Sequence, residues 1–78
     1  MKPYNGHKSY DYWNVSLWIN NDEGLYRHAL SLLREEKLPR LEAARRMLDD
    51  LHEMDITHTP DGARYNIRRI YHAMEGMV

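Results

Sequence analysis

The 78-residue chain contains no cysteine and no phenylalanine, and it has only four glycines and three prolines. The absence of cysteine excludes disulfide bonds, thiolate zinc sites and thiol nucleophiles. The glycines, at positions 6, 24, 62 and 76, are too scattered to form a phosphate-binding loop. Several common catalytic and structural sites are therefore excluded before any motif is considered.

Long apolar runs and an excess of one charge are missing as well. No run approaches the roughly 20 apolar residues that span a bilayer, and the N-terminal residues lack a signal-peptide core. We therefore expect a soluble, cytoplasmic protein with no membrane contact. The 11 basic and 12 acidic residues give a net charge of −1, whereas proteins that bind nucleic acid through its backbone usually carry a basic excess.

The clearest pattern in the sequence predicts a helix from about residue 39 to residue 54. Its apolar residues recur at spacings of three and four: Leu41, Ala44, Leu48 and Leu51. Ala43, Met47 and Met54 widen this inward face. Opposite charges on the other face, three and four residues apart, are typical of a solvated helix surface.

Two further helices are predicted on either side of this one. The first runs from about residue 21 to residue 36, and Asn20 and Glu23 at its start have the spacing of a capping box. The second covers about residues 67–75 and places Tyr71 on its inner face. Between them, residues 58–62 carry the proline and glycine of a turn.

Residues 10–20 fit two interpretations. Apolar and polar side chains alternate, as in a strand, but the segment also forms a helix with Trp13 and Leu17 facing inward. We favour the helix because Ser9 is a suitable N-cap and the chain offers no second convincing strand as a partner. Asn66 has the same capping role before the last helix.

These elements predict an all-α protein, a compact bundle of three to four short helices. A chain of this length holds one domain, which we place at residues 9–78. Pro3 and the pair Asn5-Gly6 are turn formers, so we expect residues 1–8 to be a flexible N-terminal arm.

No residue pattern points to an enzyme. The five histidines lack the spacing of a helical metal pair, and no serine or threonine stands in a nucleophile motif. We therefore expect no catalytic residue, no metal site and no cofactor. A small enzyme remains a third hypothesis, and it requires an ordered pocket that contains His52, His58 or Asp55.

A basic cluster at residues 64–69 contains Arg64, Tyr65, Arg68 and Arg69. It resembles the start of a DNA recognition helix, and a small DNA-binding transcriptional regulator that uses residues 64–72 is the alternative function. However, the connection over residues 55–66 is longer than a helix-turn-helix allows. We favour a structural role for these arginines, either in salt bridges within the fold or on a solvated face. The acidic residues that could pair with them are Asp49, Asp50, Glu53 and Asp55.

The aromatic residues near the N-terminus also have two readings. Burial is the default for large aromatic side chains, yet a single short helix cannot turn all of its aromatics inward. We expect Tyr12 and Trp18 to lie towards the rim, where exposed aromatics are typical anchors for a partner. The candidate partner-binding residues are therefore Tyr12, Trp18, Arg64, Tyr65, Arg68 and Arg69.

Two stretches of the sequence resemble a known group. The block Trp13–Tyr26 (WNVSLWINNDEGLY) and the run Thr57–Gly62 (THTPDG) resemble small, mostly uncharacterised proteins of bacteriophages and mobile elements. The resemblance implies an accessory protein that binds and inhibits a host defence component by occupying its surface, as an anti-CRISPR protein does. A host or defence-system protein in the host cytoplasm is then the expected partner. A homodimer stays open, and nucleic acid is the less favoured partner.

Overall fold

The computed structural model describes residues 9–77 and contains four α-helices in that range. The helices are α1 (Tyr10–Asn21), α2 (Glu23–Leu30), α3 (Arg40–Glu53) and α4 (Ile67–Ala73). A π-helical turn (Ser31–Glu35) continues α2 and turns two successive leucines, Leu32 and Leu33, into the core. The predicted all-α bundle is confirmed, and the predicted arm at residues 1–8 lies outside the described residues.

Two of the predicted helix N-caps, Ser9 and Asn66, are confirmed. Ser9 Oγ accepts a hydrogen bond from the backbone N–H of Tyr12 at 3.4 Å, so the helical interpretation of residues 10–20 is confirmed. Asn66 Oδ1 likewise accepts from the N–H of Arg69 at 2.8 Å and caps α4. Both side chains satisfy an amide that a helix start leaves unpaired.

The predicted capping box at Asn20 and Glu23 is wrong. Asp22 is the N-cap of α2, and its Oδ2 accepts from the N–H of Leu25 at 3.0 Å. Asn20 instead belongs to the last turn of α1, where its amide donates to the carbonyls of Ser16 and Ala73. The extended backbone at Asp22 separates two helices that lie close together in the sequence.

The inner face of α1 also differs from the prediction. Asn14, Val15 and Ile19 are buried, whereas Leu17 is 37% exposed and Trp13 is half-buried. Burial of Asn14 is possible because its side-chain oxygen and nitrogen both have hydrogen-bond partners from the later part of the chain.

The core lies where α4 packs against α1 and α3, with α2 and the π-helical turn closing the other side. The central part of the α3 stripe is buried as predicted, at Ala43, Ala44, Met47 and Leu51. Its two ends are not: Leu41 is 48% exposed and Met54 is 59% exposed. No helix within residues 9–77 is long and apolar enough to cross a membrane.

The connection between α3 and α4 is folded back on itself and hydrogen-bonded to α1. The predicted turn is confirmed, since the N–H of Gly62 donates to the carbonyl of Thr59 and Gly62 has a φ of 94° that suits glycine. Thr59 Oγ1 donates to Asn14 Oδ1 at 2.5 Å, and Asp61 Oδ2 accepts from Asn14 Nδ2 at 3.0 Å and from Trp18 Nε1 at 2.9 Å. We call these four residues the clasp.

Candidate functional site

A surface groove lies where the first turns of α1 and α3 meet α4. Its volume is about 440 Å³. We call it the arginine–tyrosine groove, and its lining residues are Tyr12, Arg40, Leu41, Ile67, Arg68, Tyr71, His72 and Glu75. The groove is therefore built from three helices that are far apart in the sequence.

Arg40 and Tyr71 form the centre of the groove. The guanidinium carbon of Arg40 lies 3.8 Å from the centroid of the Tyr71 ring, a cation–π distance. Arg40 makes no ion pair within residues 9–77, and the Tyr71 ring is 37% exposed beside the exposed Leu41. Arg40, Tyr71 and Leu41 thus lie together on one surface and offer a stacked cation, an aromatic ring and an apolar side chain.

Arg68 adds a second cation. Its side chain is exposed, and it has neither an ion pair nor a hydrogen bond to the part of the chain that the structure describes. The lining of the groove also contains one acidic residue, Glu75, whose Oε1 lies 4.0 Å from His72 Nδ1. Two arginines against one carboxylate give the groove a positive character that suits an anionic group.

The position of Arg40 at the start of α3 destabilises that helix. Arg40 is the first residue of α3, where the helix dipole places partial positive charge and disfavours a cation by roughly 0.3–1 kcal/mol. Arg68 lies in the first turn of α4, which contains no acidic residue. Arginines at such positions are more readily understood as contacts for another molecule than as supports for their own helices.

Tyr12 and Arg69 join the rim of the groove to the fold. The Tyr12 ring meets the His72 ring edge-on with centroids 5.4 Å apart, and the Arg69 guanidinium lies 5.9 Å from the Tyr12 centroid. Arg69 Nη2 is 3.1 Å from Asp11 Oδ2, and Nη1 donates to the carbonyl of Arg64 at 2.9 Å. Arg69 therefore holds α4 to α1.

A family model matches the whole chain, residues 1–78, and it is described as a family of unknown function, DUF7249. The chain belongs to this family. No curated protein and no solved structure matches it.

In this DUF7249 chain, the structure brings together only part of the predicted interaction surface. Tyr12 and Arg68 line the arginine–tyrosine groove, and Arg69 lies behind Tyr12. Arg64 is exposed on the connection before α4, outside the groove lining. Trp18 belongs to the clasp, although its ring also lines a separate shallow groove with Leu17.

Tyr65 is not available as a surface contact. Its side chain is only 3% exposed, and burial, followed by the nearby charge of Asp22, raises the pKa of its phenol above the ordinary value. The backbone explains this position, because the N–H of Tyr65 donates to the carbonyl of Thr57 and carries the ring into the core. The prediction of Tyr65 as a partner contact is therefore wrong.

The structural role favoured for the basic cluster is found at Arg69, but its partner is not one of the suggested acidic residues. Arg69 pairs with Asp11 in α1, and within residues 9–77 no arginine of the cluster pairs with Asp49, Asp50, Glu53 or Asp55. Asp50 contacts His28 instead, with Oδ2 at 2.7 Å from Nε2. Their separation of 22 residues hid this pair from inspection of the sequence.

Six residues of the groove lining were not among the predicted partner contacts: Arg40, Leu41, Ile67, Tyr71, His72 and Glu75. Leu41 and Tyr71 have helical spacing and were assigned to the core. The signal that was present is the placement of arginines at predicted helix starts, where acidic residues are usual. Of the residues suggested for a small enzyme, none of His52, Asp55 and His58 lines this groove, and no group of metal-binding side chains occurs among the described residues.

Proposed function

We propose that this DUF7249 chain is a non-enzymatic interaction protein that binds and inhibits a host defence component, in the manner of an anti-CRISPR protein. It does so by occupying a surface of its target with the arginine–tyrosine groove. The observation that carries the proposal is the stack of the half-buried Arg40 on the exposed Tyr71, beside Arg68. Neither arginine makes an ion pair within residues 9–77.

The residue types of the groove support binding rather than chemistry. Arginine and tyrosine are enriched among residues that dominate interface energies, and an apolar neighbour such as Leu41 excludes water from their contacts. The guanidinium of Arg40 is oriented by stacking on Tyr71, so it loses less freedom when it pairs with a carboxylate. The groove therefore suits an acidic segment of a partner protein.

The resemblance to proteins of bacteriophages and mobile elements supports the choice of a host target. The two stretches that carry it meet at the clasp, since Asn14 and Trp18 come from the first stretch and Thr59 and Asp61 from the second. They thus belong to the scaffold, while the groove residues Arg40 and Tyr71 lie outside them.

The test measures inhibition of a purified CRISPR effector from the natural host. Increasing amounts of the chain are added to an assay of target DNA cleavage, and complex formation is followed by size-exclusion chromatography. We expect the unmodified chain to inhibit cleavage and to co-elute with the effector. We expect Arg68→Glu to weaken inhibition by about tenfold or more, because it reverses a charge at the interface.

Arg45→Glu is the matched control. Arg45 is also exposed, makes no ion pair in the described part of the chain and lies outside the groove, so the same charge reversal there leaves inhibition unchanged. Equal loss in both variants would show that net charge matters rather than the groove. If neither CRISPR effectors nor other host defence proteins bind the unmodified chain, the proposed function is wrong.

The rival function, a small DNA-binding regulator, rests on the exposure of Arg64 and Arg68. Two features oppose it: α4 has only seven residues, and Arg69 is engaged with Asp11. A DNA probe that shifts at low salt, with affinity falling steeply as salt rises, would favour the rival. No shift at low salt would eliminate it.

A further inference from the structure

A second groove lies between α2 and α3, and we call it the acidic cleft. Its volume is about 640 Å³, and its lining residues are Asp22, Gly24, Leu25, His28, Asp50, Leu51, Glu53 and Met54. None of them belongs to the arginine–tyrosine groove, so an inference about this cleft does not depend on the proposed function.

The floor of the acidic cleft is apolar. Leu25 supplies its accessible part, since Leu51 lines the cleft but is fully buried, and the largely exposed Met54 lies at its edge. Asp22 also lines the shallow groove that contains Leu17 and Trp18 at the end of α1, so the two depressions share this residue. A flexible methionine such as Met54 adapts its shape to an apolar partner surface.

The rim of the cleft is negative. Asp22, Asp50 and Glu53 supply three carboxylates, and none of the described residues that line the cleft is a lysine or an arginine. Asp50 already has two partners, since its Oδ2 lies 2.7 Å from His28 Nε2 and its Oδ1 lies 3.8 Å from Arg46 Nε, whereas Glu53 makes no ion pair within residues 9–77. The carbonyl end of α3, which carries partial negative charge, strengthens the negative potential here.

The walls of the cleft favour a helix over an extended segment. The described residues contain no β-strand, so an extended peptide would find no sheet edge with which to pair its backbone. A helix satisfies its own backbone hydrogen bonds and fits the space between two other helices. We propose that the acidic cleft docks a basic amphipathic helix of a partner protein, with leucine-like side chains on the floor and lysine or arginine on the rim.

The proposal is tested with a fluorescent peptide and the complete chain. The probe is an amphipathic helix of leucine and lysine, roughly four turns long, and its binding is followed by fluorescence anisotropy. We expect saturable binding. A peptide of the same composition, with leucines spread around the helix, serves as the control, and we expect it to bind at least about tenfold more weakly because it cannot bury its leucines together.

Two charge reversals on α3 locate the binding site. Glu53→Lys changes the rim of the cleft and should weaken binding by about tenfold. Asp49→Lys makes the same change in net charge on an exposed residue outside the cleft lining, and we expect less than about a threefold effect from this surface charge.

Two apolar substitutions separate the cleft from other exposed surfaces. Met54→Ser should weaken binding, whereas Leu41→Ser, at the other end of α3, should leave it unchanged. The proposal is overturned if the two peptides bind equally or if Asp49→Lys and Glu53→Lys have equal effects. It is also overturned if sedimentation shows a dimer of this chain that Glu53→Lys dissociates, because a second copy would then occupy the cleft.

Discussion

The arginine–tyrosine groove and the acidic cleft lie at opposite ends of the same helix, α3. Arg40 and Leu41 begin α3 and line the groove, whereas Asp50, Glu53 and Met54 end it and line the cleft. Since α3 has fourteen residues, its two ends lie roughly 20 Å apart along the helix axis. Arg40 at the first end and Glu53 at the last each carry the charge that the helix dipole disfavours there.

The two surfaces differ in how these unfavourable charges are compensated. Arg40 is stacked on Tyr71, and this cation–π contact offsets part of the unfavourable interaction between Arg40 and the helix dipole. Glu53 has no ion pair in residues 9–77 that would do the same. The two also differ in construction, because residues of α1, α3 and the α4 region line the groove, while the cleft is lined by residues of α2 and α3 together with Asp22 and Met54.

The largest expected effect comes from the clasp, which ties α1 to the connection that leads into α4 and contains no residue of the cleft lining. Thr59→Val removes the hydroxyl that donates to Asn14 and accepts from the N–H of Ala63. Leaving these buried groups unpaired should lower the free energy of unfolding by about 1–3 kcal/mol, measured by urea denaturation. Thr57→Val, at an exposed threonine, is the control and should have little effect.

The same variant tests whether the two surfaces are separable. Under conditions where Thr59→Val remains folded, inhibition through the groove should weaken while the leucine–lysine peptide still binds the cleft. An equal loss at both surfaces would show that the comparison between them is mistaken.

A smaller effect is expected at the C-terminal end of α3. Glu53→Lys should raise the free energy of unfolding by about 0.3–1 kcal/mol, because the last turn of a helix favours a cation. Glu42→Lys, an identical change in the first turn of α3, should lower it by a similar amount. Thermal denaturation of both variants checks the sign, and a fall in stability for Glu53→Lys would mean that Glu53 supports the fold.

At the other end of α3 we expect two effects to cancel. Arg40→Gln loses the cation–π contact, worth about 0.5–1 kcal/mol, and relieves a dipole cost of about 0.3–1 kcal/mol. The unfolding free energy should therefore barely change. In a chain that also carries Tyr71→Leu the contact is already absent, so Arg40→Gln should then raise the free energy of unfolding. Denaturant titration of the unmodified chain, the two single variants and the double variant measures this difference.

The smallest effect concerns how the folding stability depends on protonation of the Asp61 carboxyl at low pH. Hydrogen bonds from Asn14 and then Trp18 lower the pKa of the Asp61 carboxyl below its usual value. Because the folded pKa is lowered, the stability from this group is complete above the unfolded pKa, about 3.9, and is lost as pH falls through the folded pKa. Asp61→Asn should flatten the acid limb of a stability–pH curve, and an unchanged limb would contradict this assignment.

The sequence predicted the helices better than it predicted which parts of them are exposed. The stripe on α3 identified the buried Ala44 and Leu51 correctly, because helical spacing reports which face turns inward. It did not report how far along the helix the core extends, so Leu41 and Met54 were assigned to the interior although they lie at its two exposed ends.

The groove was harder to predict because it depends on contacts between distant residues. Tyr12, Arg40 and Tyr71 come from three helices, and no local spacing links them. The face of α1 was misjudged for the same reason. A buried asparagine at position 14 is acceptable only because Thr59 and Asp61 supply its hydrogen bonds, and that pairing is invisible until the chain is folded.

The clasp also has a consequence for the order in which the two surfaces form. Its bond between Thr59 and Asn14 closes a loop of 45 residues, and such distant contacts are slower to establish than contacts between neighbouring helices. Helices α2 and α3, whose residues line the cleft, follow each other in the sequence, whereas the groove also needs α1 from the start of the described chain. We therefore expect a chain that refolds from denaturant to form its acidic surface first and its basic surface later.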